Sequence, residues 1–311
     1  MSRSSGIETI DVNILLVLGV VLAGFVVVGP MFGILLALPF YEGTILDFVT
    51  AISDPLHHPE IKLPFFIVQG ASTFFGLILA PALLLLAKRK SLKSFFQVPG
   101  TTLSLYLIAI IATIVFMLVN SPFIEWNAKL QFPEFMSGFE EWARAREDFA
   151  ARVTEFLTTF NSVGELVIGL VVIAVLPALG EEFVFRGLIQ PQLHKSTGNI
   201  HAAIWISAIL FSTLHMQFFG FVPRMLLGAL FGYLYYWSGN LWVAILAHFV
   251  NNGFSVLMLY FYQQGISELD VNSTESADWT IVVGAAIISF TLLYLFKKQA
   301  STTSRDGLTE I

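Results

Sequence analysis

Long apolar runs, each near the length a bilayer demands, follow one another through the chain. A membrane span needs roughly 20 mainly apolar residues. Candidate spans lie at roughly 13–38, 64–87, 102–122, 164–190, 200–217, 219–237, 240–262 and 279–296. They predict an all-α fold, a polytopic membrane bundle of about eight transmembrane helices. The fourth run is long and is interrupted by Pro177 and Gly180; the fifth and sixth are joined so tightly that their boundary is not marked. The first run is too long for a signal-peptide core and reads as a retained span.

One segment follows another pattern. Phe135, Phe139, Trp142, Phe149, Val153, Phe156 and Phe160 recur at helical spacing, and Glu140, Glu141, Arg144, Glu147, Asp148, Arg152 and Glu155 occupy the other faces. The pattern predicts an amphipathic helix at the membrane interface, and a helix packed on the end of the bundle fits it equally. Residues 263–278 read as a polar, acidic loop and the tail after Lys298 as disordered. The expected organisation is 1–125 for the first three spans, 126–163 for the amphipathic helix, 164–262 for a catalytic core, and 263–311 for the loop, last span and tail.

Composition agrees with a lipid-exposed surface: 56% of residues are hydrophobic, 12% charged, and the mean hydropathy is +0.78. Soluble chains carry about 25% charged residues. The chain has no cysteine, which excludes disulfides, Cys-based zinc sites and a thiol nucleophile. The net charge of −6 comes without a basic run, so no nucleic-acid partner is expected. Lys88, Arg89, Lys90, Lys93, Lys195, Lys297, Lys298, Arg305 and Arg3 all fall on one side of an eight-span bundle. Cytoplasmic loops are enriched in Lys and Arg, so both termini are expected in the cytoplasm.

Ionisable residues within spans cost at least ~2.5–3.5 kcal/mol on insertion scales for Asp, Lys and Arg, so each calls for a reason. GEEFVFRG holds Glu181, Glu182 and Arg186; FSTLH holds Phe211 and His215; AHFVNN holds His248, Asn251 and Asn252. Glu182 and Arg186 are i,i+4 neighbours with the acid first, which favours a neutralising pair. Glu181 points about 100° away and is left without a sequence-local partner, so the chemical role falls to it. Glu181 and His215 each lie 17 residues from Gly198, the expected turn between their helices. Both then sit roughly 25 Å from that turn, at one level. His248 and Asn252, again i,i+4, reach a similar depth from the SGN turn.

A carboxylate beside an imidazole deprotonates water, and a second imidazole with a carboxamide stabilises an oxyanion. The set therefore points to an acyl-transfer hydrolase that lacks a Ser or Cys nucleophile. Glu181, His215 and His248 also form an acceptable zinc set, although HExxH is absent; zinc, another divalent metal and no metal all remain open. A proton relay or transporter is the rival reading of the same residues, and a non-catalytic immunity-type membrane protein is a third. Arg224, after Pro223, reads as an interfacial anchor or a contact for a substrate carboxylate. His57, His58, Glu60 and His194 read as solvated.

EExxxR (Glu181 to Arg186), FxxxH (Phe211 to His215) and HxxxN (His248 to Asn252), in this order, resemble the motifs of the CAAX protease and bacteriocin-processing family, also called Abi. Its members resemble the eukaryotic CAAX prenyl endopeptidase of Rce1 type, and the likeness covers roughly residues 164–255. The resemblance implies an eight-helix intramembrane endopeptidase. Glu181 and His215 would activate water, His248 and Asn252 would stabilise the oxyanion, and Glu182, Arg186 and Phe211 would support them. Family members are described both as metalloproteases and as metal-free glutamate enzymes. The implied partners are a peptide or membrane-protein substrate and the lipid bilayer, and the expected location is a prokaryotic inner membrane.

Overall fold

The computed structural model describes residues 13–96, 101–268 and 273–306, the side chains of 302–306 excepted; Arg3 and the side chain of Arg305 thus lie outside it. Among the described residues the chain is helical, without strands. Seven helices among the described residues are long and apolar enough to cross a membrane. Of these, α1 is Ile14–Phe40, α3 is Pro59–Ala87, α4 is Leu103–Ala128 and α6 is Val163–Thr197. Between them lie the short α2 (Ile45–Ser53) and the amphipathic α5 (Ser137–Thr158). Four more follow: α7 (Ile200–Leu214), α8 (Phe221–Ser238), α9 (Leu241–Gln263) and α10 (Trp279–Asp306). The protein is a multi-pass helical membrane bundle.

The fifth expected span is the exception in length. α7 has 15 residues, roughly 22 Å, against a hydrocarbon core of about 30 Å. It stops inside the bundle, and the chain turns back through 215–220 into α8. Two helical hairpins share one turn chemistry. Gly198 and Gly239 adopt left-handed φ of 64° and 62°, and Asn199 and Asn240 cap the next helix through their side chains. Only glycine enters that conformation without Cβ strain, and Asn accepts the first free N–H groups.

Small residues let the first helices close up. A Cβ on Gly29 or Gly33 of α1 would lie 2.5 or 2.7 Å from a Cα of Ser72 or Val68 on α3. Another face of α3, which carries Gly70 and Leu77, meets α6, where a Cβ on Gly180 would fall 2.6 Å from the Leu77 Cβ. Gly180 thus lets α3 press against α6 beside Glu181, a small-residue contact typical of membrane helices.

Pro30, Pro81, Pro177 and Pro191 each follow a widened turn, at Gly24–Val28, Phe74–Leu79, Leu170–Val175 and Phe183–Ile189. A proline ring clashes with the carbonyl four residues back and offers it no N–H; wider winding relieves the clash. The predicted interruption of the fourth span is therefore a local rewinding, and α6 continues unbroken past both Pro177 and Gly180.

α5 packs across the end of the bundle at which α7 stops. Phe139 and Trp142 meet Phe218 with ring centroids 5.0 and 5.8 Å apart, and Phe65 meets Phe156 at 6.3 Å. Trp142, Phe149 and Phe135 keep 44%, 42% and 86% of their surface exposed, so the helix docks on the bundle and still presents aromatics outward. The tail after Lys298, expected to be disordered, is helical to Asp306. Phe296 and Ala300 are buried, and the Gln299 amide donates to Thr102 Oγ1 at 3.1 Å, which ties α10 to the start of α4. His57 and His58 pair locally with Asp54 and Glu60 in an exposed turn, while His194 is half-buried on the end of α6.

Candidate active site

Glu182 is fully buried, and its Oε1 is the hub of the site. It accepts from Arg186 Nη1 at 2.9 Å and from His248 Nδ1 at 2.7 Å. Arg186 Nη2 donates to the Gly228 carbonyl at 2.7 Å, which ties α6 to α8. The guanidinium lies over Phe211 and Phe231, 5.1 and 5.6 Å from their centroids. Glu182 Oε2 and Arg186 Nε have no protein partner. Three helices are thus joined through one ion pair.

Because Glu182 Oε1 already accepts from Arg186 Nη1, it is the acceptor in the second bond too, and His248 Nδ1 carries the proton. The imidazole stacks on Phe231 with centroids 5.1 Å apart and 19° between planes. Its Nε2 faces the Asn252 amide nitrogen at 3.2 Å and Glu181 Oε2 at 3.8 Å. Glu181 keeps 16% of its side-chain surface, unlike Glu182 with none. Of the two neighbouring carboxylates, one is therefore spent on structure and the other faces open space beside an imidazole.

His215 occupies the end of α7. Its Nδ1 donates to the Phe211 carbonyl at 2.8 Å, which leaves Nε2 as the acceptor. The rings of Phe211 and His215 meet edge-on at 4.8 Å, and Phe211 also lies 6.1 Å from His248. Met216, next in the chain, has φ of 55°, a left-handed conformation that costs a non-glycine residue of order 1–3 kcal/mol. That strain folds the chain sharply back after His215.

Asn252 is fixed by a proline. Pro177 has no N–H for the carbonyl four residues back, that of Ile173, and that carbonyl accepts Asn252 Nδ2 at 3.1 Å. The carbonyl takes only a donor, so the amide nitrogen must face it; Asn251 Nδ2 donates to the remaining Asn252 Oδ1 at 3.0 Å. The same device recurs at Pro122, where the freed Leu118 carbonyl accepts the Ser121 hydroxyl at 2.8 Å. Pro177→Ala returns an N–H to Ile173 and releases the Asn252 amide. The expected outcome is an unchanged or higher unfolding midpoint together with a kcat lower by about 10-fold. Steady-state kinetics beside a thermal melt checks it, and a variant with normal kcat would show that the amide needs no such anchor.

The levels of the two hairpins fit these contacts. Glu182 lies 16 residues before Gly198 and His248 nine residues after Gly239. At 1.5 Å per residue the Gly198 turn therefore projects roughly 10 Å further than the Gly239 turn. Asn240, fully buried, holds the inner turn by donating to Thr101 and Tyr106, both at 2.9 Å.

The donor set does not form a metal cage. Among the described residues no three His or carboxylate side chains cluster so as to hold an ion. His248 gives Nδ1 to Glu182 and turns Nε2 toward an amide N–H, so both of its ring nitrogens are engaged within the protein.

Sequence reasoning missed three parts of this arrangement. It did not find the Phe231 ring under His248, the Gln190 side chain that donates to the Gly232 carbonyl at 3.1 Å, or the link from Pro177 to Asn252. The proline was visible only as an interruption; its freed carbonyl was the signal.

The fold and site define a polytopic membrane protein with a buried Glu/His/Asn centre. Residues 163–254, which hold every motif above, match the family model of type II CAAX prenyl endopeptidase Rce1-like proteins. The uncharacterized protein YpbD of Bacillus subtilis (strain 168) is 29% identical over 85 residues. That alignment covers 26% of this chain and 40% of the relative, so the likeness spans two fifths of the curated relative's length. No solved structure matches.

Proposed function

We propose that this protein is an intramembrane endopeptidase of the CAAX-processing kind, which hydrolyses a peptide bond of a membrane-associated protein or peptide. The observation that carries the reading is His248, held between Glu182 and Asn252 with the half-open Glu181 carboxylate 3.8 Å from its Nε2. A buried polar set of this kind, borne on three helices, marks a functional centre in a membrane protein. The match to Rce1-like proteins supports the same reading.

Glu181 takes a proton from water, and His215 Nε2 accepts the hydrogen bond that orients it. The water oxygen bonds to the scissile carbonyl carbon, whose oxygen gains the electron pair. Asn252 turns its N–H from His248 to that oxygen, and His248, having taken a second proton from solvent at the freed Nε2, donates there as well. The carbon–nitrogen bond breaks, and Glu181 returns its proton to the departing amine. Glu182 and Arg186 hold His248 in place throughout, and Phe211 holds His215. Each of these steps uses a side chain of this chain, and the mechanism is of the glutamate type. The Lys and Arg distribution supports an orientation with both termini cytoplasmic, and the compact form of the chain fits a prokaryotic inner membrane.

The test is cleavage of a fluorescence-quenched prenylated CAAX peptide by purified protein in lipid, beside metal analysis and chelation. Cleavage that survives complete metal removal is expected. Loss on chelation with recovery on added zinc would overturn the glutamate mechanism; no cleavage of lipidated or plain membrane peptides would overturn the peptidase reading.

A further inference from the structure

Arg224 stands on the first turn of α8, partly buried, and among the described residues its close partners are neutral. Nη2 donates to Gln217 Oε1 at 2.8 Å and Nη1 to the Gln217 carbonyl at 3.5 Å. A Cβ on Gly220 would meet Nη2 at 3.1 Å, so the guanidinium lies flat against that glycine. No carboxylate reaches it within ion-pair distance among the described residues, although a cation taken out of water is costly unless paired. The acid beside this cluster is Glu147 on α5, which the Arg224 partner Gln217 also reaches. Glu147 has its own partners, accepting from Phe219 N–H and Gln217, at 3.3 and 3.4 Å. Burial also pushes the Glu147 carboxyl up.

Position gives this cation a purpose. Arg224 is one turn from Gly228, whose carbonyl anchors Arg186, so both lie on the face of α8 turned toward the site. It is 15 residues before Gly239, whereas His248 is nine after it. Arg224 is thus roughly 9 Å nearer the α5 end than His248, the reach of about three extended residues. We propose that Arg224 is a specificity residue that receives a carboxylate of the substrate about three residues beyond the scissile bond. This rests on the peptidase reading above. The carboxylate is either the free chain terminus or an acidic side chain, and Gln217, two residues after His215, holds the guanidinium ready for it.

Three matched prenylated peptides separate the sources: a free C-terminal acid, the C-terminal amide, and the amide with Glu as the last residue. Wild-type protein in lipid nanodiscs is expected to prefer a carboxylate-bearing peptide over the plain amide by about 30-fold in kcat/KM, mostly through KM. Preference for the free acid alone identifies the terminus, and preference for the Glu peptide identifies the side chain; both support the receptor. Arg224→Gln should bring the ratio to within about 3-fold of one, with Arg224→Lys retaining part of it. Equal losses on all three peptides, or no preference in wild type, would overturn the proposal. Binding of the same peptides to the Glu181→Gln protein reads Arg224 without any turnover. A carboxylate preference there that Arg224→Gln abolishes supports the receptor even if nothing is cleaved, and its absence refutes it.

Discussion

Glu181→Gln should abolish most cleavage and leave the fold intact. Glutamine keeps the volume and one acceptor of glutamate, but it cannot take a proton from water. General-base catalysis contributes about 10²–10⁴-fold, so kcat should fall by about 10³-fold. KM should change little, because the side chain binds no substrate before the chemical step in this mechanism. Stability should hold, since among the described residues the closest ionisable partner of Glu181 is His248 Nε2, 3.8 Å away and beyond hydrogen-bond distance. The measurement is single-turnover cleavage in nanodiscs with a thermal melt of the same preparation. Turnover near the wild-type rate would remove Glu181 from the chemistry, and with it the mechanism. A useful contrast is Glu182, one residue on, which accepts two charge-assisted bonds at 2.7 and 2.9 Å; its loss should appear first as lost stability.

The pairing of Glu182 with Arg186 was legible in the sequence, because it needs only the period of the helix. Glu182 and Arg186 are one turn apart and Glu181 is not, so the pairing follows from one element. The two Gly-Asn turns were legible for the same reason, being local chemistry. Contacts between helices were not. Nothing in the periodicity of α9 says whether His248 meets Glu181 or Glu182, because the rotation of one helix against another is set by the packing of both. The structure gives Nδ1 to Glu182 and leaves Nε2 near Glu181. The helical tail to Asp306 was hidden because its polar residues carry no apolar stripe, while what orders it is packing of Phe296 and Ala300. Pro177 misled in an instructive way. A proline in an apolar run suggests a break, but the widened turn before it keeps α6 whole and the orphaned carbonyl is used to aim Asn252.

Arg186→Met should be the most destabilising single change in the bundle. Arg186 is 1% exposed and spans α6 and α8 through Glu182 and Gly228. Methionine fills much of the space between Phe211 and Phe231 but leaves the Glu182 carboxylate buried with only His248 beside it. Breaking one partner from a buried ion pair costs about 3–5 kcal/mol, because the remaining charge stays desolvated. The carboxylate escapes part of that cost by taking a proton, and it then ceases to be an ionised acceptor for His248 Nδ1. Activity should therefore fall in the molecules that remain folded. The double variant Glu182→Leu, Arg186→Met separates the two effects. Replacing a whole buried pair by apolar groups of similar volume is often neutral or stabilising, so most of the lost stability should return. Turnover should not return, since His248 has lost the carboxylate that orients it. A reversible unfolding measurement in bicelles on the four proteins of this cycle gives the coupling directly. If Arg186→Met lies within about 1 kcal/mol of wild type, the pair is too well hydrated to bear the charge-burial argument. If the double variant regains turnover as well as stability, His248 is oriented by its stacking on Phe231 and its bond to Asn252 alone.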